Sequence, residues 1–131
     1  KAHMILTRIH FPPDKAILYG PENEKSEQNK KIIEKLYRQL QNYPNYDIVV
    51  EGHTSFVYWD DPIKGPIEQK EVLLPLSNAR AHAVMEALIE LGVVRERISA
   101  VGKGGTEPLV PFKKREIQWK NRRVEIELIK Q

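Results

Sequence analysis

A glycine, a histidine and two hydroxyl side chains follow an apolar segment in the middle of the sequence. The apolar residues Ile48, Val49 and Val50 lie at the centre of the range 47–52, and His53, Thr54 and Ser55 come directly after Gly52. A nearly continuous apolar run indicates a strand that is buried on both faces of a sheet. The polar residues would then lie at the rim of the sheet, where open α/β sheets usually bind their ligands. This stretch therefore predicts a ligand-binding rim.

The side chains in this sequence do not suggest a catalytic site or a metal site. Cysteine is absent, which excludes thiol catalysis, disulfides and zinc sites built on cysteine. His10, His53 and His82 do not have the spacing of metal ligands, so no metal ion is expected. Ser77 and His82 lie on one predicted helix but point in different directions, so they do not form a nucleophile with its base. We therefore expect no enzyme activity, no catalytic residue and no cofactor.

The composition is that of one globular domain, with 131 residues of which 40% are hydrophobic and 30% are charged. The net charge of +3 permits a polyanionic partner without requiring one. The basic run 113–115 with Trp119 has no accompanying nucleic-acid motif, so a solvated loop is the favoured interpretation and no nucleic acid is expected. No apolar run approaches the ~20 residues of a membrane span. Residues 1–4 look like the remnant of an expression vector, which leaves 5–131 as the domain.

Hydrophobic periodicity predicts two helices and four strands. Pro21 is expected to begin a helix that runs to about Tyr43, and Ser77 to cap a second helix that ends at Gly92. The strands are expected at 5–11, 47–52, 98–102 and 122–129, with loops at 56–75 and 103–120. The order β-α-β-α-β-β indicates an α+β fold. We expect a two-layer sandwich in which two main helices pack on one face of a mixed four-stranded sheet.

Several motifs occur in one order along the chain. They are Glu51-Gly52-His53-Thr54, Leu76-Ser77-x-x-Arg80-Ala81, Arg97-Ile98-x-Ala100-x-Gly102-x-Gly104 and Asn121-Arg122-Arg123-Val124-Glu125-Ile126. With this set, the sequence closely resembles the OmpA-like C-terminal domain over nearly its whole length. That family includes peptidoglycan-associated lipoproteins and the periplasmic part of flagellar stator proteins.

The resemblance implies a non-catalytic domain that binds the peptide stem of peptidoglycan, chiefly at diaminopimelate. Arg80 stands at the family's arginine that meets a ligand carboxylate, a contact that a planar guanidinium suits. The rim residues His53, Thr54 and Ser55 would contact the ligand, with help from Arg123. The resemblance also implies a periplasmic location, in an outer-membrane-associated or lipid-anchored protein of the cell envelope.

One position departs from the family pattern in a way that bears on binding. Ser55 stands where the family has an aspartate that meets the second charge of the ligand. A hydroxyl cannot supply that charge, and losing a charge-assisted hydrogen bond weakens binding about tenfold or more. Asp14, and Asp60 and Asp61 in the loop 56–75, are candidate substitutes for the missing acid.

Two functions remain open on these residues. In the first, the domain binds peptidoglycan through a partly degenerate pocket and anchors an envelope protein to the cell wall. In the second, it has lost peptidoglycan binding and serves as a structural or protein-interaction module. The aromatic residues of the loop 56–75 would then dock on another domain of the same chain, or cover the pocket.

The roles of individual rim residues are equally open. Arg80 either binds the ligand or pairs with a carboxylate, Glu51 or Glu125, to hold helix and sheet together. His53 and Thr54 are expected to form local hydrogen bonds that shape the loop.

Overall fold

A mixed sheet of four strands forms one layer of the molecule. The computed structural model describes residues 3–131, and its strands are β1 (His3–Thr7), β2 (Tyr46–His53), β3 (Ile98–Gly104) and β4 (Arg123–Lys130). Their order across the sheet is β1-β4-β2-β3. β2 pairs parallel with β3, while β4 pairs antiparallel with both β1 and β2. The predicted mixed four-stranded sheet is therefore confirmed, with β2 at its interior.

Helices form the second layer. They are α1 (Ser26–Leu40), the short α2 (Lys64–Glu68) and α3 (Leu74–Leu91), and α3 packs on β2, β3 and α1. Leu40, Val50, Leu88 and Ile126 are fully buried between the two layers. Leaving water stabilises each such side chain by about 1.5–3 kcal/mol. The predicted α+β sandwich is confirmed, with α2 as an addition.

The first strand and first helix are both shorter than predicted. β1 ends at Thr7, because His10 turns away to bond with α1: its N–H donates to Asn29 Oδ1 at 2.9 Å. α1 begins at Ser26 rather than Pro21. Asn23 explains the late start, because its side chain bonds to the carbonyl of Ile17 and to the N–H of Lys25, which makes 20–25 a turn.

The predicted loop 56–75 is wrong in its second half. Residues 64–68 form α2, and Gln69–Leu73 form one π-helical turn that continues into α3. Pro75 does not interrupt the helix, because it lies one residue after a change of hydrogen-bond register: the N–H of Leu74 donates to the carbonyl of Gln69, five residues back. A π turn accommodates such a change inside a continuous helix.

Ser77 is consequently not an N-cap but a buried residue inside α3. Its hydroxyl accepts a hydrogen bond from the N–H of Gly104 at 3.0 Å, which ties α3 to the end of β3. Gly52 and Gly102 face the same part of the helix. A Cβ on Gly52 would lie well inside contact distance of the Ser77 carbonyl, and one on Gly102 would meet the backbone of Asn78. The missing side chains let α3 lie unusually close to the sheet.

Within residues 3–131, no helix has both the length and the apolar character needed to cross a membrane.

Candidate functional site

A pocket of about 720 Å³ lies at the predicted rim of the sheet. Residues 52–55 contribute to it from the end of β2, and the segment 6–14 from β1 and the chain after it. Arg80 contributes from α3, and residues 119–124 from the start of β4. The structure therefore brings together Arg80, Arg123 and the rim residues of β2, which are distant in sequence, around one cavity.

The pocket lining carries more basic than acidic side chains. The basic residues are Arg8, Arg80, Lys120, Arg122 and Arg123, and the acidic ones are Asp14 and Glu68. The carboxylate of Glu68 already accepts hydrogen bonds from the backbone N–H groups of Val57 and Tyr58. The pocket thus has the electrostatic character expected of a site for carboxylates or other anions.

Arg80 is almost fully buried, with 8% of its surface exposed, and it holds the segment after β1. Its Nε donates to the Lys15 carbonyl at 2.9 Å, and its Nη2 to the Pro12 carbonyl at 3.1 Å. The guanidinium also lies 5.0 Å from the centre of the Phe11 ring. Burial lowers the pKa of Arg80, an effect that Asp14 opposes. Backbone carbonyls, rather than the carboxylates of Glu51 or Glu125, are therefore the structural hydrogen-bond partners of Arg80.

The same segment is held from the other side by an asparagine of α1. The amide nitrogen of Asn29 donates to the carbonyls of His10 and Leu18, both at 2.8 Å. Asn29 is fully buried, so these bonds are shielded from water. Two helices thus fix one wall of the pocket.

Only one of the three candidate substitute acids lies in this pocket. Asp14 lines it, in the left-handed backbone region with φ of 57°, and its charge acts on Arg80. Asp60 and Asp61 line a second pocket next to Trp59, and Asp61 accepts hydrogen bonds from the N–H groups at the start of α2. Ser55 lines the main pocket and accepts a hydrogen bond from Arg122 at 3.4 Å.

The aromatic residues that follow the rim do not cover the pocket. Phe56 packs edge-to-face on Phe112, with ring centres 5.7 Å apart. Tyr58 and Trp59 are 43% and 42% exposed. Val57 is the only residue of 56–59 that lines the pocket in the described structure.

Arg123 is buried on the strand face that carries the acids. Its Nε donates to Glu125 Oε2 at 2.7 Å, and its Nη2 donates to the Glu107 carbonyl at 2.8 Å. Arg122, which directly precedes β4, is exposed. Alternation along the strand predicts one of these two arginines on the helix side of the sheet and the other in water. Arg122 does face water, but Arg123 lies on the face opposite the helices, because its neighbour Val124 packs in the core.

The prediction that the side chains of His53 and Thr54 form local hydrogen bonds is wrong. Both ring nitrogens of His53 and the Thr54 hydroxyl are buried, and within residues 3–131 they have no hydrogen-bond partner. The backbone N–H of Thr54 donates to the carbonyl of Gly104, at the end of β3, at 2.9 Å. Burying such groups without partners costs about 1–3 kcal/mol each.

His53 lies beside two carboxylates in an arrangement that the sequence did not reveal. One ligand atom from each of Glu51, His53 and Glu125 lies within 4.8 Å of the others. Glu51 and His53 share a face because they are two residues apart on β2, and Glu125 lies directly opposite Glu51 on β4. The signal in the sequence is the Glu-x-His pattern on a strand, but Glu125 joins it only through the sheet register.

Burial lowers the pKa of His53 to about 4. The charges of Arg123 and Lys103 also lower this pKa, whereas those of Glu125 and Glu107 raise it. The imidazole is therefore neutral at pH 7, and its 3.5 Å contact with Glu51 is not an ion pair.

We expect the free energy of unfolding to fall as the pH drops from about 6.5 towards 4. Unfolded His53 takes up a proton near its ordinary pKa of about 6.5, while the folded protein does not until about pH 4. At about 1.4 kcal/mol per pKa unit, the loss amounts to about 3 kcal/mol. Urea unfolding at several pH values, with a chelator present, measures it. His53→Gln should show a shallower slope, and identical slopes in the two proteins would contradict the assignment.

Comparison with known proteins gives consistent results. The model of the OmpA family matches residues 10–122. Outer membrane porin F of Pseudomonas aeruginosa is 36% identical over 106 residues, which cover 75% of this chain and 27% of that protein. Outer membrane protein Omp38 of Acinetobacter baumannii is 35% identical over 99 residues, covering 75% and 25%. The chain thus spans about a quarter of the length of these curated relatives.

Solved structures share the fold over almost the whole chain. The periplasmic domain of Helicobacter pylori MotB has a TM-score of 0.68 at 26% identity, covering 97% of this chain and 72% of that one. The cell wall anchor of the T6SS from Pseudomonas aeruginosa has a TM-score of 0.67 at 23% identity, covering 92% and 75%. The second likeness concerns the fold alone.

Proposed function

Since this chain belongs to the OmpA family, we propose that it is a non-catalytic periplasmic domain that binds the stem peptide of peptidoglycan. In this role it anchors an envelope protein to the cell wall. The observation that carries the proposal is the pocket at the end of β2, where Arg80 and Asp14 supply opposite charges within one cavity.

The lining matches the chemistry of a stem peptide that carries carboxylates and an ammonium group. Arg80 and Arg122 donate to carboxylates, and charge-assisted hydrogen bonds of this kind are worth about 1.5–3 kcal/mol each. Asp14 receives the ammonium group and takes the place of the acid that Ser55 lacks. Asp14 lies close enough to Arg80 for the carboxylate charge to raise the pKa of the guanidinium.

Calorimetric titration with a muropeptide that contains diaminopimelate tests this function. We expect saturable binding by the unaltered chain, and at least about tenfold weaker binding by Arg80→Ala and by Asp14→Asn. Asn is chosen because it tolerates the left-handed backbone of Asp14, so that the substitution removes charge without straining the chain.

Arg95→Ala is the matched control. Arg95 is exposed and pairs with Glu86 at 2.9 Å, and it does not line the pocket. Its loss removes one positive charge and should leave the affinity unchanged. Circular dichroism of each variant establishes that it is folded. Absence of heat at millimolar ligand, or equal affinity of folded Arg80→Ala and the unaltered chain, would contradict the proposal.

A protein-interaction module that no longer binds peptidoglycan is the second candidate. It is favoured by the two bonds from Arg80 to backbone carbonyls, which engage the guanidinium without any ligand. The exposed side chains of Tyr58, Trp59 and Ile63 would provide its contact surface with another domain of the same chain. The titration separates the two candidates, because this one predicts no binding in any variant.

A further inference from the structure

The most conspicuous unexplained group in the molecule is the imidazole of His53. Its side chain is 0% exposed, and neither ring nitrogen has a hydrogen-bond partner within the described residues. Folded proteins normally satisfy such buried groups with another side chain, an ordered water or an ion. The environment of His53 therefore needs an occupant that protein atoms alone do not provide.

The surrounding geometry favours a cation. Nε2 of His53 lies 3.5 Å from Oε1 of Glu51, and a carboxylate oxygen of Glu125 completes a group whose members all lie within 4.8 Å of one another. Ligand atoms bound at about 2.1 Å around a tetrahedral zinc ion lie about 3.4 Å apart. The pair from β2 already has that spacing, and the Glu125 oxygen lies within 4.8 Å of both atoms of the pair.

The donor set indicates which class of ion fits. One imidazole nitrogen with two carboxylate oxygens suits zinc and similar divalent transition metals. Calcium prefers six to eight oxygen ligands and magnesium prefers oxygen ligands with several retained waters, so neither matches this set. Both central strands supply the ligands, which gives the site a rigid frame.

Arg123 has a defined place next to this site. Its Nε donates to Oε2 of Glu125 at 2.7 Å, which orients the carboxylate. The guanidinium also offsets one of the two negative charges. We expect this to reduce the affinity to the micromolar range, rather than the much tighter binding of closed structural zinc sites.

We propose that Glu51, His53 and Glu125 form a binding site for a divalent transition-metal ion of the zinc class, next to the rim of the pocket. A bound ion would fix the side chain of His53, the residue that directly precedes Thr54 and Ser55. The two sites share His53, which also lines the pocket, but Arg80 and Asp14, on which the proposed binding of peptidoglycan rests, take no part in the metal site.

Metal titration of chelator-treated chain without a histidine tag tests the proposal. We expect one equivalent of Zn²⁺ to bind by calorimetry, and to raise the melting temperature by several degrees, while Mg²⁺ does neither. His53→Gln and Glu125→Gln should both lose the response. His82→Gln, which alters a histidine that lies exposed on α3, should keep it.

Three outcomes would overturn the proposal. One is the absence of Zn²⁺ binding below 100 µM by the unaltered chain. Another is an unchanged response in His53→Gln, which would place the metal elsewhere. The third is a crystal grown with Zn²⁺ that shows a water and no anomalous signal at the zinc edge between the three side chains. A zinc-edge peak at that point would support the proposal directly.

Discussion

Gly52→Ala should destabilise the protein by about 3 kcal/mol, the upper end of what overpacking usually costs. The added methyl group would collide with the carbonyl oxygen of Ser77, a backbone atom in the first turn of α3 that cannot move aside by rotating a side chain. Gly102→Ala should behave similarly, because its Cβ would meet the backbone of Asn78 one residue further along. Urea unfolding monitored by circular dichroism measures both changes.

Gly20→Ala is the control that measures the cost of a side chain on a left-handed backbone in the absence of a steric clash. Gly20 has a φ of 93°, but no atom lies within 4 Å of the position that a Cβ would take. Its replacement should therefore cost only the strain of the left-handed backbone, about 1–2 kcal/mol. If Gly52→Ala cost no more than Gly20→Ala, the close approach of α3 to the sheet would be refuted.

Arg123→Ala should be the most damaging single loss of charge, at about 3–5 kcal/mol. The substitution would leave Glu125 without its hydrogen-bond donor beside the buried Glu51, and release the loop whose Glu107 carbonyl Arg123 holds. Uncompensated carboxylates at such positions are strongly unfavourable. The free energy of unfolding at pH 7, again from urea titration, is the quantity to compare.

Arg122→Ala removes the same charge from the adjacent, exposed position. Its described hydrogen bond to Ser55 is long, at 3.4 Å, so we expect a change within about 0.5 kcal/mol. Equal losses in Arg122→Ala and Arg123→Ala would mean that the buried contacts of Arg123 do not contribute as inferred.

The sheet was predictable from sequence because its signals are local. Val124, Ile126 and Leu128 alternate with acids, and the structure buries all three against the helices. The end of α3 at Gly92 was equally visible, and this glycine adopts the expected left-handed backbone with φ of 131°. Each of these features depends on neighbours within a few residues along the chain.

Features that depend on tertiary contacts were not predictable in the same way. The predicted loop 56–75 ends at Pro75, yet this proline lies in the first turn of a helix, and no sequence pattern shows that a π turn precedes it. The partners of Arg80 are backbone carbonyls, which leave no trace in side-chain identity. Glu125 joins His53 only because β4 pairs with β2 in one particular register.

The wall of the pocket formed by residues 10–18 has a consequence for how its sequence can change. The side chains that hold it, Asn23, Asn29 and Arg80, bond to main-chain atoms of the wall. Every residue type presents a carbonyl in the same way, so substitutions within the wall leave these bonds in place. The side chains that face a ligand can therefore be substituted while the hydrogen bonds that set the shape of the cavity are kept. Substitution of the three residues outside the wall, Asn23, Asn29 and Arg80, would instead remove the bonds that maintain its shape.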